Sequence, residues 1–215
     1  MRTHPVFLCL EGRRCVIVGD DPPALAKARA SVAAGARVTV VAPGLSPDLV
    51  GRVRHVARAY RRGDLAGAFL AYASTRDAAT VDALVAEAEA ERFLLNVIDV
   101  PEACTFLAPA VVTRGDLQIA VGTGGASPGL AADLRRALEG QVGPEYGPFV
   151  AILGAVRRAL AADPSRAEIV NALARSPLLD LLRAGRRAEI EALLARVAGD
   201  GMTLTRLGVE LEEVA

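Results

Sequence analysis

The sequence predicts an α/β protein, with a doubly wound parallel sheet first, then a short α+β segment and a helical C-terminal domain. Short β-branched runs alternate with helical stretches over the first hundred residues, and residues 111–121 have the pattern of a hairpin. The apolar stripes after residue 148 all have helical spacing. We therefore predict domain boundaries at 1–112, 113–147 and 148–215.

The first forty residues predict one βαβ unit. Its elements are a strand at 15–18, a helix at 24–34 and a strand at 37–41. This order implies two parallel strands joined by a right-handed crossover. Further strands at 53–57, 70–73 and 93–97, with a helix at 80–91, extend the unit to a Rossmann-like sheet.

The later segments predict smaller elements. A hairpin is followed by a helix with Ser127 as its N-cap, Pro128 as its first residue and Gly140 at its end. After a Gly- and Pro-rich hinge at 143–148, four helical stretches follow. They make the C-terminal part helical throughout.

Composition excludes several classes of protein. The chain has 25 basic and 25 acidic residues, so its net charge indicates neither a nucleic-acid nor a membrane partner. Three widely spaced cysteines indicate a reducing compartment, and His4 and His55 fit no metal-ligand spacing. Without a signal peptide's pattern or an apolar run near the roughly 20 residues of a membrane helix, we expect a cytoplasmic protein with no resident metal.

The loop after the first strand is where such sheets bind nucleotides, through glycines and free N–H groups of the following helix. Here residues 19–24 read Gly-Asp-Asp-Pro-Pro-Ala, so only the first and last fit a G-x-G-x-x-G/A template. Asp21 would place a carboxylate where phosphate oxygens lie. Alternatively, Asp20 or Asp21 caps the helix, with Pro22 or Pro23 at its first position. Local chemistry leaves nucleotide binding open.

Several separate blocks occur together in the order of a known family. They are Pro5-Val6-Phe7-Leu8, Ala34-Gly35-Ala36-Arg37-Val38-Thr39-Val40-Val41-Ala42-Pro43, Asn96-Val97-Ile98-Asp99, Phe106 with Pro109, and Thr123-Gly124-Gly125-Ala126-Ser127-Pro128. Over about residues 5–150, the chain resembles the precorrin-2 dehydrogenase/sirohydrochlorin ferrochelatase family. The resemblance implies an NAD-binding domain, a dimerisation segment at 113–147, and a homodimer whose cleft holds a polycarboxylate tetrapyrrole.

The resemblance also implies an enzyme of siroheme biosynthesis, in which precorrin-2 is oxidised with NAD and ferrous iron is a substrate of metal insertion. It assigns catalysis to Asp99, whose carboxylate can take a proton as hydride leaves the macrocycle or as metal enters. Without the resemblance, a turn or cap is the more ordinary role for this aspartate. Asn96 positions Asp99, binds substrate or satisfies loop backbone, and Cys104 is expected to be a small buried residue.

The family's cofactor site falls on Gly19, Pro22 and Pro23 in the first loop, and on Pro43 and Gly44 in the turn after the second strand. This chain departs from the family's Gly-Gly-Gly loop, and proline has no N–H to offer a cofactor. Two alternatives to the dehydrogenase therefore stay open. One is a chelatase that has lost NAD, and the other is a non-catalytic tetrapyrrole-binding protein.

A second Gly-rich loop is a candidate for substrate binding. The N–H groups of Thr123, Gly124, Gly125 and Ser127, before the next helix, could bind a substrate carboxylate. A plain capped turn explains the same residues equally well.

Overall fold

The structure is a computed structural model that describes residues 2–211. These residues form two compact units. One comprises the described residues up to Ala108 together with Gly124–Ala126, and the other comprises Pro109–Thr123 and the described residues from Ser127 onward.

The first unit is built on a sheet of five parallel strands in the order β3-β2-β1-β4-β5. The strands are β1 Arg14–Val18, β2 Arg37–Val41, β3 Arg54–Val56, β4 Leu70–Ala73 and β5 Leu94–Val97. Helix α1, Pro22–Ala33, links β1 to β2, and α2, Ala78–Glu91, links β4 to β5. The predicted doubly wound sheet is confirmed, with element ends shifted by one or two residues.

Both faces of the sheet are apolar, because the side chains of each strand point alternately to one face and the other. Val16 and Leu95 belong to the core that includes Leu84 and Ala88 of α2. The intervening Ile17 packs in a second core, which includes Ala28 of α1. Because successive side chains of a strand point to opposite faces, a continuous β-branched run is buried on both sides.

The second unit contains an antiparallel hairpin and six helices among the described residues. The strands are β6 Ala110–Arg114 and β7 Leu117–Val121, and the helices are α3 Pro128–Gln141, α4 Tyr146–Ala159, α5 Arg166–Ala174, α6 Leu178–Arg183, α7 Arg187–Ala198 and α8 Leu204–Leu207. Leucine and isoleucine side chains from α4 to α8 form one core. The prediction that Gly140 ends α3 is wrong by one residue, because Gly140 does not adopt the left-handed φ of a helix-ending glycine.

None of the described helices is both long enough and apolar enough to cross a lipid bilayer.

Candidate functional site

The strand order of the first unit changes direction between β1 and β4. Open α/β sheets bind ligands at such a switch point, beyond the carboxyl ends of the strands. A cavity of about 320 Å³ lies at this position. It is lined by Asp21, Pro23, Ser74, Thr75, Arg76, Ile98 and Asp99. Two residues predicted for the site, Asp99 and Pro23, thus line the same cavity.

Asp99 lies two residues beyond β5 and adopts φ 62°, a left-handed conformation that few residues other than glycine adopt. Its carboxylate is 74% exposed, and its Oδ2 lies 3.8 Å from Nη2 of Arg76. An exposed ion pair of this length adds little to stability. The Asp99 carboxylate is therefore accessible to a ligand in the cavity.

Cys104 supports the turn that carries Asp99. Its sulfur accepts a hydrogen bond from the Val97 N–H at 3.2 Å and lies within donating distance of the carbonyls of Val97, at 3.2 Å, and Val100, at 3.3 Å. Burial raises the pKa of the Cys104 thiol, so the sulfur keeps the proton that it donates. Cys104 is half-buried, and it forms hydrogen bonds with the backbone in addition to packing as a small side chain.

Asn96 takes the last of the three roles that the sequence leaves open, which is to satisfy loop backbone. It is buried, and its amide donates a hydrogen bond of 3.0 Å to the carbonyl of Phe106. It therefore satisfies the backbone of the segment that covers edge strand β5.

Asp21 is the N-cap of α1, and Pro22 is the first helical residue, as the capping alternative predicts. Oδ1 of Asp21 accepts a hydrogen bond of 2.9 Å from the Ala24 N–H, and Oδ2 accepts one from the Ser74 hydroxyl. The prolines at positions 22 and 23 have no N–H. The first turn of α1 therefore has no N–H free for a phosphate.

Asp20 joins the first loop to the turn after β2. Its Oδ2 accepts a hydrogen bond of 2.7 Å from the Gly44 N–H. Gly19 has φ 117°, and a Cβ there would lie 3.2 Å from the Ser74 carbonyl oxygen. The position thus requires glycine, both for its backbone conformation and for the close approach of β4.

A dinucleotide at this edge of the sheet would approach Gly19 and the turn of Pro43 and Gly44, where the Gly44 N–H is already bonded to Asp20. Its pyrophosphate does not fit the first turn of α1 in the usual way, because Asp21 already occupies the Ala24 N–H. The pyrophosphate would need a cation elsewhere in the cavity.

The Gly-rich loop at residues 123–127 is bonded to itself. Oγ1 of Thr123 lies 3.1 Å from both the N–H and the carbonyl oxygen of Ser127, and Oγ of Ser127 accepts a hydrogen bond of 3.2 Å from the Leu130 N–H. Gly124 and Gly125 both have left-handed φ values, of 62° and 84°. The Ser127 hydroxyl caps α3, and the Ser127 N–H is already bonded to Thr123 Oγ1.

No group of three or more metal-ligating side chains occurs among residues 2–211. His55 contacts the carbonyl oxygen of Ala42 through Nε2 at 2.9 Å, linking β3 to the end of β2. A larger cavity of about 640 Å³ lies in the second unit and includes none of the predicted site residues.

Ser74 and Arg76 were not singled out from the sequence. Ser74 follows β4 directly and Arg76 lies three residues beyond its end, so the signal was their position after the strand that pairs with β1. Listing the residues beyond each strand end would have found them, because these residues meet at one edge of a parallel sheet.

Comparisons with known proteins identify both parts of the chain. A family model described as "Putative NAD(P)-binding" matches residues 6–110, and one described as "Sirohaem biosynthesis protein central" matches residues 114–141. The first unit therefore contains a domain of the NAD(P)-binding type.

Similar proteins include the siroheme synthase of Methylobacillus flagellatus, which is 40% identical over 165 residues, or 74% of this chain and 35% of the relative. The siroheme synthase of Chromobacterium violaceum is 36% identical over 213 residues, or 93% of this chain and 45% of the relative. The chain thus spans less than half the length of these relatives. A solved structure described as "SirC, precorrin-2 dehydrogenase" matches with TM-score 0.67 at 23% identity, over 88% of this chain and 100% of that chain, and supports the fold.

Proposed function

The chain belongs to the precorrin-2 dehydrogenase/sirohydrochlorin ferrochelatase family, and we propose that it oxidises precorrin-2 to sirohydrochlorin with NAD in siroheme biosynthesis. The observation that carries this proposal is the cavity at the switch point of an NAD(P)-binding sheet, which presents the carboxylate of Asp99.

When bound, NAD supplies a hydride acceptor. Gly19, Pro43 and Gly44 would line the nucleotide, and Pro22 and Pro23 would contact it without donating hydrogen bonds. NAD is proposed over NADP because the resemblance to the family implies an NAD-binding domain.

Asp99 would accept the proton that the macrocycle loses as hydride departs. The exposed carboxylate meets two needs of this step, since it is reachable from the cavity and is held on a fixed turn. The loop residues Thr123, Gly124, Gly125 and Ser127 are proposed to bind a substrate carboxylate, for which the Ser127 N–H would exchange its present acceptor, Thr123 Oγ1.

The test is the Asp99→Asn variant, because asparagine tolerates the left-handed backbone and removes only the base. NADH formation from precorrin-2 should fall by about 100-fold or more, while sirohydrochlorin binding stays within about twofold of wild type. Asp82→Asn, an exposed carboxylate on α2, is the matched control. Unchanged turnover in Asp99→Asn would remove the proton-transfer role.

Iron insertion without NAD is a second candidate, and the two aspartates of the first loop favour it because they take the backbone N–H groups that would face a pyrophosphate. In that reaction, Asp99 would accept the pyrrole protons as ferrous iron, the second substrate, enters. With supplied sirohydrochlorin and ferrous iron, siroheme absorbance should appear without dinucleotide and be slowed in Asp99→Asn. Absence of siroheme while NADH still forms would exclude this candidate.

A cytoplasmic homodimer is also part of the proposal, as is the division into 1–112, 113–147 and 148–215. The side chains of Leu130 and Leu134 on α3 are 52% and 45% exposed, and Val111 of the hairpin is 37% exposed. Exposed apolar side chains of this size on neighbouring elements support an interface with a second copy.

A further inference from the structure

We propose that Arg76 is the anion-binding residue of the switch-point cavity and holds a carboxylate or phosphate group of the ligand beside Asp99. The inference rests on the proposed function for the identity of the ligand, which is a polycarboxylate tetrapyrrole or a dinucleotide. Both ligands present the same chemistry, an anionic group with two or more oxygens.

The usual anion site of the fold is closed in this chain. Asp21 and Asp20 accept hydrogen bonds from Ala24 and Gly44, so the protein's own carboxylates occupy these N–H groups. Any anion that enters the cavity must be bound by another group.

Arg76 alone among the residues lining the cavity carries a positive charge, whereas Asp21 and Asp99 both carry negative charge. An anionic ligand would be repelled from two carboxylates unless a cation lay between them and the ligand. Arg76 is the cation beside Asp99, and its Nη2 lies 3.8 Å from Asp99 Oδ2.

The Arg76 side chain is free to take a ligand. It is 87% exposed, and its long contact with Asp99 is weak. Two other arginines of this unit are by contrast already engaged, since Arg58 donates to Asp64 at 2.7 Å and Arg29 to Asp48 at 2.7 Å. A guanidinium group can donate two parallel hydrogen bonds to a carboxylate or a phosphate, which gives both affinity and orientation.

The backbone beneath Arg76 is fixed although the side chain is exposed. Asp77, the next residue, is the N-cap of α2 and accepts a hydrogen bond of 2.9 Å from the Thr80 N–H. A ligand oxygen on the guanidinium would replace Asp99 as its partner. The Asp99 carboxylate would then face the bound ligand.

The test compares Arg76→Ala and Arg76→Lys with the control Arg52→Ala, an exposed arginine outside the cavity. Sirohydrochlorin is titrated by absorbance, and NAD+, NADP+ and inorganic pyrophosphate by calorimetry. We expect Arg76→Ala to lower the affinity for at least one of these ligands by about 10- to 100-fold. Arg76→Lys should lower the same affinity less. Melting temperatures equal to wild type show that the fold is intact.

The outcomes separate the two sources of the anion. Weaker sirohydrochlorin binding alone assigns Arg76 to a substrate carboxylate, and weaker NAD+ and pyrophosphate binding assigns it to the dinucleotide. If Arg76→Ala binds every ligand as tightly as Arg52→Ala, the inference is overturned while the proposed function stands. If wild type binds pyrophosphate through Arg76 but not sirohydrochlorin, the proposed function fails and the inference stands. A wild-type protein that binds none of these ligands overturns both.

Discussion

The carboxylate of Asp20 accepts a hydrogen bond of 2.7 Å from the backbone N–H of Gly44, tying the loop after β1 to the turn after β2. In folds of this kind, these two turns line a bound dinucleotide. The neighbouring Asp21 closes the N-terminus of α1 in the same way. The protein's own carboxylates therefore occupy groups that a nucleotide would use.

Replacing both carboxylates with glycine should strengthen nucleotide binding. In the double variant Asp20→Gly, Asp21→Gly, the N–H groups of Ala24 and Gly44 become free, and two negative charges are removed. We expect NAD+ to bind about 10-fold more tightly or better by calorimetry. Glycine at the N-cap costs only a few tenths of a kcal/mol, so urea unfolding should show a stable fold.

The double variant Asp20→Asn, Asp21→Asn separates charge from geometry. Asparagine keeps the capping hydrogen bonds and removes the charge. If only the glycine variant binds NAD+ more tightly, the occupied N–H groups are what opposes nucleotide binding. If both variants gain NAD+ affinity equally, the negative charge opposes it. If neither variant binds NAD+ more tightly than wild type, the two aspartates do not oppose the nucleotide.

The main elements could be predicted because their signals are local. The β-branched run at Cys15–Val18 is buried on both faces, and the Asp21-Pro22 pair begins a helix by capping rules that need no tertiary contacts. Helix α8 was not predicted, because its four residues are fewer than a helical period needs to be recognised.

The site was only partly predictable for the opposite reason. Asp99 was identified from a resemblance, since an aspartate after a strand is otherwise an ordinary turn residue. Arg76 was missed because its place beside Asp99 depends on β4 and β5 being neighbours in the sheet, whereas the 20 residues 74–93, which include α2, separate the two strands in the chain. Periodicity shows each strand but not which strands pair.

The Arg58–Asp64 pair should make the free energy of unfolding depend on pH in the acidic range. Arg58 donates two hydrogen bonds of 2.7 Å to Asp64, which lowers the pKa of that carboxyl group. Since the folded pKa lies below the unfolded value of about 3.9, the pair stabilises the fold above that pH, and this stability is lost as pH falls through the folded pKa.

We therefore expect the free energy of unfolding to fall in wild type below about pH 4 and to fall less in Asp64→Asn. Urea unfolding at pH 7 and at several values below 4 measures this difference. Asp82→Asn, in which an exposed carboxylate of α2 is changed, should follow wild type. If the free energy of unfolding falls equally with pH in wild type and in Asp64→Asn, the pair does not contribute to the acid dependence of stability.

Charged side chains on α3 should dissociate the proposed dimer. Leu130 and Leu134 lie one helical turn apart and are about half exposed, so Leu130→Asp, Leu134→Asp would bury two carboxylates in the interface. Sedimentation should show a dimer for wild type and a monomer for this variant. Val50→Asp changes an exposed residue of the first unit and should remain dimeric, and a dimeric double variant would place the interface elsewhere.

Cys104 is expected to hold the turn that carries Asp99 in place. The Val97 N–H, on edge strand β5, donates to the Cys104 sulfur, and removing that sulfur in Cys104→Ala leaves the N–H without this partner. The loss should cost about 1–3 kcal/mol of stability and loosen the turn that carries Asp99. Cys104→Ser keeps a group that both accepts and donates.

Turnover of precorrin-2 should therefore fall by about 10-fold or more in Cys104→Ala and by less in Cys104→Ser, because small displacements of a catalytic group are costly. Sirohydrochlorin affinity should change little in either variant, since the sulfur does not line the cavity. A loss of stability with turnover unchanged in Cys104→Ala would mean that the thiol supports β5 without positioning Asp99.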